Sequence, residues 1–122
     1  MDVVLGVGGT EDSLLALRET AERTAQTGDR LTVAILANPA SDRTPAEVEE
    51  AVERTLEGYD IDVTVTRLEG EPGPALADFA ESAGFDRIVL GGGMRSPMGK
   101  ITLGEIAEFV LLNADTSVTL IR

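Results

Sequence analysis

Short apolar runs alternate with amphipathic helical segments along all 122 residues, and this alternation constrains the fold more than any other feature. Five runs have the length and apolar character of strands: residues 3–7, 31–36, 61–67, 87–90 and 117–121. Four intervening segments place apolar residues along one helical face: residues 11–27, 44–58, 75–83 and 102–113. Such a strand–helix alternation predicts a parallel sheet with helices on both faces.

Capping and turn residues set the predicted helix boundaries. Gly28 is predicted to end the first helix. The stretch Thr44-Pro45-Ala46-Glu47 has the form of a capping box with proline at the first helical position. The same S/T-x-x-E pattern runs from Thr102 to Glu105, which predicts that the last helix begins near Thr102. Residues 70–74 are predicted to form a turn.

Two glycine clusters favour one order of strands. Glycines 8–9 follow the first predicted strand, and glycines 91–93 follow the fourth. The orders 3-2-1-4-5 and 2-1-3-4-5 both suit five strands, but only the first places strands one and four side by side. Both clusters then line one crevice at the carboxyl ends of the strands, where ligands bind in such sheets. We expect one α/β domain over residues 1–122, with a doubly wound parallel sheet in order 3-2-1-4-5 and two helices on each face.

The composition excludes several kinds of chemistry. The chain has no cysteine and no histidine, so it lacks a thiol nucleophile, the usual general base near neutral pH and the commonest metal ligand. We therefore assign no catalytic residue and no metal ligand. No apolar run approaches the ~20 residues that span a bilayer, and no basic residue precedes the first apolar run. These features predict a cytoplasmic protein without a membrane span or signal peptide.

The charge is strongly negative and has an unusual composition. Asp and Glu number 22 against 10 basic residues, a net charge of −12. Such a field repels nucleic acid and acidic membranes, so neither is an expected partner. Lys100 is the single lysine among the basic residues. Dispersed carboxylates with almost no lysine predict a protein from a salt-loving organism. The alternative is an ordinary acidic cytosolic protein, and the dependence of stability on salt distinguishes the two.

Several short motifs together resemble one family. The sequence GGT at residues 8–10 is followed by Glu11 and Ser13, and Gly-Glu-Pro occupies residues 70–72. A glycine-rich stretch runs from Gly91 to Gly104, and the chain ends in LLNADTSVTLIR. Over its whole length the chain resembles the universal stress protein family of the UspA type. The acidic composition leads us to expect that this member comes from a halophilic archaeon. The resemblance implies a Rossmann-like sheet, dimerisation through the last strand, and ATP or AMP as the candidate ligand.

The resemblance also implies a candidate nucleotide site with three departures from the family pattern. Its residues are Val7, Gly8, Gly9, Thr10, Gly91, Gly92, Gly93, Met94, Arg95, Ser96, Lys100, Gly104 and Glu105. Gly8 replaces the aspartate that reads adenine and ribose in nucleotide-binding members, and Met94 replaces a glycine that lets backbone approach phosphate. Glu105 replaces a serine or threonine whose hydroxyl donates to phosphate, and its carboxylate repels anions instead.

Structural roles compete with functional ones for these residues. Glu105 fits a capping box, where it would complement the dipole of the last helix. Arg95 and Lys100 could bind an anion or could pair with Glu105 or Glu108. Thr10 and Ser13 are predicted to cap the first helix, because the chain offers no histidine to activate either hydroxyl as a nucleophile.

Three functions compete, in decreasing order of preference. The first is a non-enzymatic, dimeric stress-response module with weak or absent nucleotide binding. The second is an ATP- or AMP-binding member of the same family, acting as a nucleotide sensor or slow ATPase. The third is an adenylating enzyme, because residues 8–13 resemble the glycine-rich loop of ATP-pyrophosphatases, although the spacing differs by one residue and the leading serine is missing.

The last predicted strand is the expected dimer interface. In order 3-2-1-4-5 it lies at an edge of the sheet, and it carries no proline, lysine or other charge that would block pairing. The residues of the expected interface are Ser117, Val118, Thr119, Leu120 and Ile121.

Overall fold

The computed structural model describes residues 1–95 and 101–122. Its strands are β1 (Asp2–Val7), β2 (Arg30–Ile35), β3 (Val63–Arg67), β4 (Arg87–Gly91), β5 (Met94–Arg95), β6 (Ile101–Thr102) and β7 (Ser117–Ile121). Its helices are α1 (Glu11–Thr27), α2 (Pro45–Leu56), α3 (Pro72–Ser82) and α4 (Glu105–Asn113). Among the described helices, none is long and apolar enough to cross a membrane.

Five strands form one parallel sheet in the order β3-β2-β1-β4-β7, which confirms the predicted order 3-2-1-4-5. The central strand β1 pairs in parallel with both neighbours, so that Leu5 lies opposite Val33 on one side and Val89 on the other. The direction of winding reverses between β1 and β4, which makes their carboxyl ends the topological switch point. The two-residue strands β5 and β6 form a separate antiparallel pair, which the sequence patterns do not predict.

Helices cover both faces of the sheet, two on each, as predicted. On one face, α1 and α2 bury apolar side chains such as Leu17 and Val52 against β1 and β2. On the other, α3 and α4 bury side chains such as Leu76 and Val110 against β1 and β4. Removing these aliphatic side chains from water is the main force that holds the two layers to the sheet.

Two predicted helix boundaries have the expected capping geometry. Gly28 ends α1 with φ +75°, and its N–H donates to the Thr24 carbonyl at 2.9 Å. At the start of α2, the Thr44 N–H donates to Glu47 Oε1 at 2.9 Å, and the Glu47 N–H donates to Thr44 Oγ1 at 3.2 Å. Two hydrogen bonds hold the pKa of Glu47 below its ordinary value. The larger effect comes from the Thr44 backbone and the smaller from the Thr44 side chain.

Three predictions about helix starts are wrong. Helix α4 begins at Glu105, with Gly104 as N-cap, whereas Thr102 lies in β6; no capping box therefore forms between Thr102 and Glu105. Helix α3 begins at Pro72, inside the predicted turn, because proline has the backbone angle that a first helical residue needs. Thr10 is the N-cap residue of α1, but its hydroxyl donates to Asp12 and caps no backbone N–H.

Stability is expected to depend steeply on salt. The described ion pairs, such as Arg54 with Glu50 and Arg67 with Glu49, are exposed or partly exposed and offset few of the 22 carboxylates. Mutual repulsion acts over ~30 Å at 0.01 M salt and only ~3 Å at 1 M. We expect the melting temperature to rise strongly from low to molar KCl at neutral pH, as measured by circular dichroism.

A control for this salt dependence uses the protonation of the carboxylates themselves. Near pH 4, about the ordinary pKa of aspartate and glutamate, much of the negative charge is lost, and the salt dependence should become shallower. A melting temperature that does not change with KCl at neutral pH would show that charge repulsion does not limit stability.

Candidate functional site

A pocket of about 500 Å³ opens at the carboxyl ends of β1 and β4. Its walls come from the loops that follow β1, β2 and β4 and from the first turns of α1, α3 and α4. The doubly wound topology brings these chain segments together, because every parallel strand ends at the same edge of the sheet. The predicted crevice between the two glycine clusters is therefore present.

Part of the pocket wall is apolar. Leu36 and Leu90 lie at the ends of their strands, and Ile106 and Phe109 project from α4. Phe109 packs over Gly73, where an added Cβ would lie only 2.9 Å from its ring atom Cδ1. Gly73 thus lets the first turn of α3 approach α4 closely. An apolar wall of this kind accepts the flat face of a small organic molecule.

The charged groups in the described lining are all carboxylates. Asp12, Glu71 and Glu105 line the pocket, and no lysine or arginine does so among the residues whose side chains the structure describes, which do not include Arg95. Uncharged polar groups come from Thr10, Ser13 and other short side chains. The anionic groups of a bound ligand would receive no charge compensation from this part of the wall.

Six of the residues predicted to bind nucleotide line this pocket: Gly8, Thr10, Gly91, Gly93, Gly104 and Glu105. Three others do not line it. Val7 is fully buried in the core beneath α1, Gly9 packs against Val48 and Ser41, and Gly92 packs against Arg122.

The remaining four predicted residues are Met94, Arg95, Ser96 and Lys100. Met94 and Arg95 form β5. Ser96 and Lys100 lie outside the described residues. The hypothesis that Arg95 and Lys100 bind an anion therefore stays a prediction.

Position 8 requires glycine because the side chain of Asn38 faces it closely. A Cβ added at Gly8 would lie 2.8 Å from the Cβ of Asn38 and 2.9 Å from its Nδ2. Asn38 is fixed in turn, because its Oδ1 accepts the Ala40 N–H at 3.0 Å. Asn38 therefore fills the space into which a side chain at position 8 would project, and an aspartate there would require Asn38 to move.

Sequence reasoning missed Asn38 and Asp12 as pocket residues. Asn38 could have been found, since it follows β2 and the carboxyl end of that strand meets the same edge as those of β1 and β4. Asp12 gives no such signal, because a carboxylate in the first turn of a helix is common for reasons of dipole complementarity alone.

Glu105 is the first residue of α4 and is exposed. Gly104, its N-cap, has no side chain to satisfy the free N–H groups of the first turn, and among the described residues other than its chain neighbours no heavy atom lies within 4 Å of where its Cβ would be. The positive end of the α4 dipole would favour an anion at this point. The Glu105 carboxylate instead supplies that negative charge from within the protein.

The fold and the pocket define the class: a doubly wound α/β protein with a small-molecule pocket at its topological switch point. The sequence model of the universal stress protein family matches residues 1–122, and the chain belongs to that family.

Comparison with individual proteins agrees with this assignment. The chain is 30% identical over 76 residues to universal stress protein MJ0531 of Methanocaldococcus jannaschii, a match that covers 62% of this chain and 45% of that protein. The chain thus spans less than half the length of this curated relative.

Among solved structures, the chain is similar to a universal stress protein from Archaeoglobus fulgidus, with TM-score 0.79, 25% identity and coverage of 100% of this chain and 98% of the other. It has the same fold as a universal stress protein crystallised in complex with cAMP, with TM-score 0.74, 24% identity and coverage of 100% and 96%.

Proposed function

We propose that this universal stress protein is a non-enzymatic stress-response module whose pocket binds adenine nucleotides weakly or not at all. The observation that carries the proposal is the position of Glu105 in the first turn of α4, at the pocket wall. A phosphate that used the N–H groups of this helix N-terminus would lie beside a carboxylate. Their repulsion opposes the attraction that the helix dipole provides.

The opposite side of the pocket supports the same conclusion. The resemblance places an adenine- and ribose-reading aspartate at the position of Gly8, and Asn38 fills the space beside this glycine. A nucleotide would therefore lose an acceptor on its nucleoside side and meet negative charge on its phosphate side. Both changes lower affinity, and they act through different parts of the ligand.

The absence of histidine and cysteine from the sequence supports a non-enzymatic role. The hydroxyls at the pocket are engaged in structural hydrogen bonds. Ser13 Oγ donates to the Thr10 carbonyl at 2.8 Å and accepts the Gly9 N–H at 3.1 Å. Activation of a serine requires a base within hydrogen-bonding reach, and Ser13 is instead held by its own loop.

The alternative function is an ATP- or AMP-binding sensor or slow ATPase. The pocket favours it in two respects: its volume of about 500 Å³ and its apolar wall both suit a small organic ligand. The related structure in complex with cAMP adds that a protein of this family and fold accepts an adenine nucleotide.

Calorimetric titration of the native protein with Mg-ATP and with AMP in molar KCl tests the choice between these functions. Weak or undetectable binding is expected for both nucleotides. High-affinity binding would support the sensor, and release of phosphate from bound ATP would support the ATPase. Analysis of freshly purified protein for bound adenine nucleotide provides an independent check, since a tight ligand would survive purification.

We also propose that the protein forms a homodimer through β7. This strand lies at an edge of the sheet, and its described partner is β4 on one side. Val118 and Leu120 face the α3–α4 side of the sheet, where they pack against the buried core. On α4, which connects to β7, Leu111 and Leu112 are exposed, so apolar surface continues beside the open strand edge. An unprotected edge with adjoining apolar surface favours pairing with a second copy.

Light scattering at micromolar protein concentration should give the mass of a dimer. Thr119→Lys places a charge at the middle of β7 and is expected to shift the protein toward monomer, because lysine on an edge strand opposes pairing. Thr64→Lys is the matched control: it makes the same change on β3, the opposite edge strand, and should leave the dimer intact. A monomeric mass for the native protein would contradict the proposal.

A further inference from the structure

The carboxylate of Asp12 joins the start of α1 to the glycine-rich loop after β4. Its Oδ2 accepts the backbone N–H of Gly93 at 3.1 Å, and its Oδ1 accepts the Thr10 hydroxyl at 2.6 Å. Both oxygens thus have donors. Asp12, Thr10 and Gly93 all line the pocket, so these hydrogen bonds form at its wall.

Close packing fixes this arrangement. A Cβ added at Gly91 would lie 2.7 Å from Asp12 Oδ2 and 2.8 Å from both the carbonyl carbon and the carbonyl oxygen of Asp12. The loop therefore approaches the first turn of α1 at a distance that only glycine permits. Gly93 has φ +87°, a left-handed conformation that glycine adopts without strain. The carboxylate position is a consequence of how β4, its loop and α1 meet.

Backbone N–H groups in a glycine-rich loop after a strand are donors that commonly bind anions, phosphate in particular. In this chain one such donor, the Gly93 N–H, is already paired with the protein's own anion. An approaching phosphate would have to displace the Asp12 carboxylate or remain beside it, and either alternative is unfavourable.

We propose that Asp12 is an internal anion that determines the specificity of the pocket, excluding phosphate groups from the glycine-rich loop. This inference rests on the proposed function and gives it a second cause, independent of Glu105, on the α1 side of the pocket. It predicts discrimination by ligand charge: an uncharged nucleoside enters more readily than the corresponding nucleotide.

The test measures the affinities of adenosine and AMP for the native protein, Asp12→Ala and Asp12→Asn by calorimetry in molar KCl. Asp12→Ala removes the charge and frees the Gly93 N–H, and it should raise AMP affinity at least about tenfold without changing that for adenosine. Asp12→Asn removes the charge but keeps an oxygen that can accept the same hydrogen bond, so a smaller gain is expected.

Glu11→Ala is the matched control, because Glu11 precedes Asp12 in the same helical turn, is exposed and lies outside the pocket lining. It changes net charge and dipole complementarity in the same way and should leave AMP affinity unchanged. Circular dichroism melts of all variants establish that they are folded under the conditions of titration.

Several results would overturn the inference. The first is a gain in AMP affinity with Glu11→Ala as large as that with Asp12→Ala. The second is a gain with Asp12→Ala that is the same for adenosine as for AMP. The third is an AMP affinity of folded Asp12→Ala no higher than that of the native protein. Tight AMP binding by the native protein would instead contradict the proposed function. The comparison between native and Asp12→Ala protein would then still decide whether Asp12 opposes phosphate, so the two failures are distinguishable.

Discussion

Replacement of Glu105 by serine is expected to raise the affinity for Mg-ATP strongly, because it removes the carboxylate from the first turn of α4 at the pocket wall. A carboxylate about 4 Å from a phosphate charge costs about 4 kcal/mol at an effective dielectric of 20, near a thousandfold in affinity. Glu105 is exposed, so water and salt screen part of this repulsion, and a gain of at least about tenfold is the expected result in molar KCl. Serine also adds a hydroxyl that can donate to phosphate.

Glu108→Ser is the matched control for this substitution. Glu108 is also acidic, exposed and in the first turn of α4, but it is absent from the described pocket lining. Calorimetry with Mg-ATP should show a gain for Glu105→Ser and none for Glu108→Ser. Equal gains would assign the effect to the overall field of the protein. If Glu105→Ser gives no gain, the Asn38-filled space beside Gly8 becomes the stronger barrier to the nucleotide.

The fold could be predicted from the sequence because each of its determinants is local or topological. Apolar runs and amphipathic periodicity place the five main strands and the four helices, and two glycine clusters at strand ends select between two known orders. Helix starts were less predictable. The pattern from Thr102 to Glu105 satisfies the sequence rule for a capping box, yet Thr102 pairs with Met94 across the short β5–β6 ladder. A capping rule that is based on four consecutive residues does not take such a strand partner into account.

The candidate site was only partly predictable for a related reason. Gly91 and Gly8 could be assigned to one crevice because they follow strands that become neighbours. The hydrogen bond between Asp12 and Gly93 joins residues that are 81 positions apart, and nothing local to either residue indicates it. Likewise, the reason for glycine at position 8 lies in the side chain of Asn38, which follows a different strand. Such contacts depend on how the loops meet once the sheet has formed.

Leu76→Ala is expected to lower the free energy of unfolding by about 2–5 kcal/mol, the largest effect on stability among these predictions. Leu76 projects from α3 toward the sheet and is fully buried, packed with Leu90 and Leu36 over β1. Its truncation leaves a cavity that the surrounding sheet and helices can only partly close. Urea denaturation followed by circular dichroism measures the loss, which should appear as a lower midpoint with an unchanged slope.

The cavity left by Leu76→Ala should be filled by a substitution on the facing strand. A Cβ at Gly6 would lie 2.6 Å from Leu76 Cδ2 and 2.9 Å from Leu90 Cδ2, so Gly6→Ala alone overpacks this face and should cost about 1–3 kcal/mol. With Leu76→Ala the closest of these contacts disappears, and the double variant should be more stable than the sum of the two losses predicts, by about 0.5–3 kcal/mol. Leu17→Ala is the control, since Leu17 belongs to α1 and is fully buried on the other face of the sheet. It should destabilise the protein by a similar amount but add to Gly6→Ala within about 0.5 kcal/mol, because the two sites share no contact through the sheet. Additivity in both pairs would contradict the packing described for Gly6.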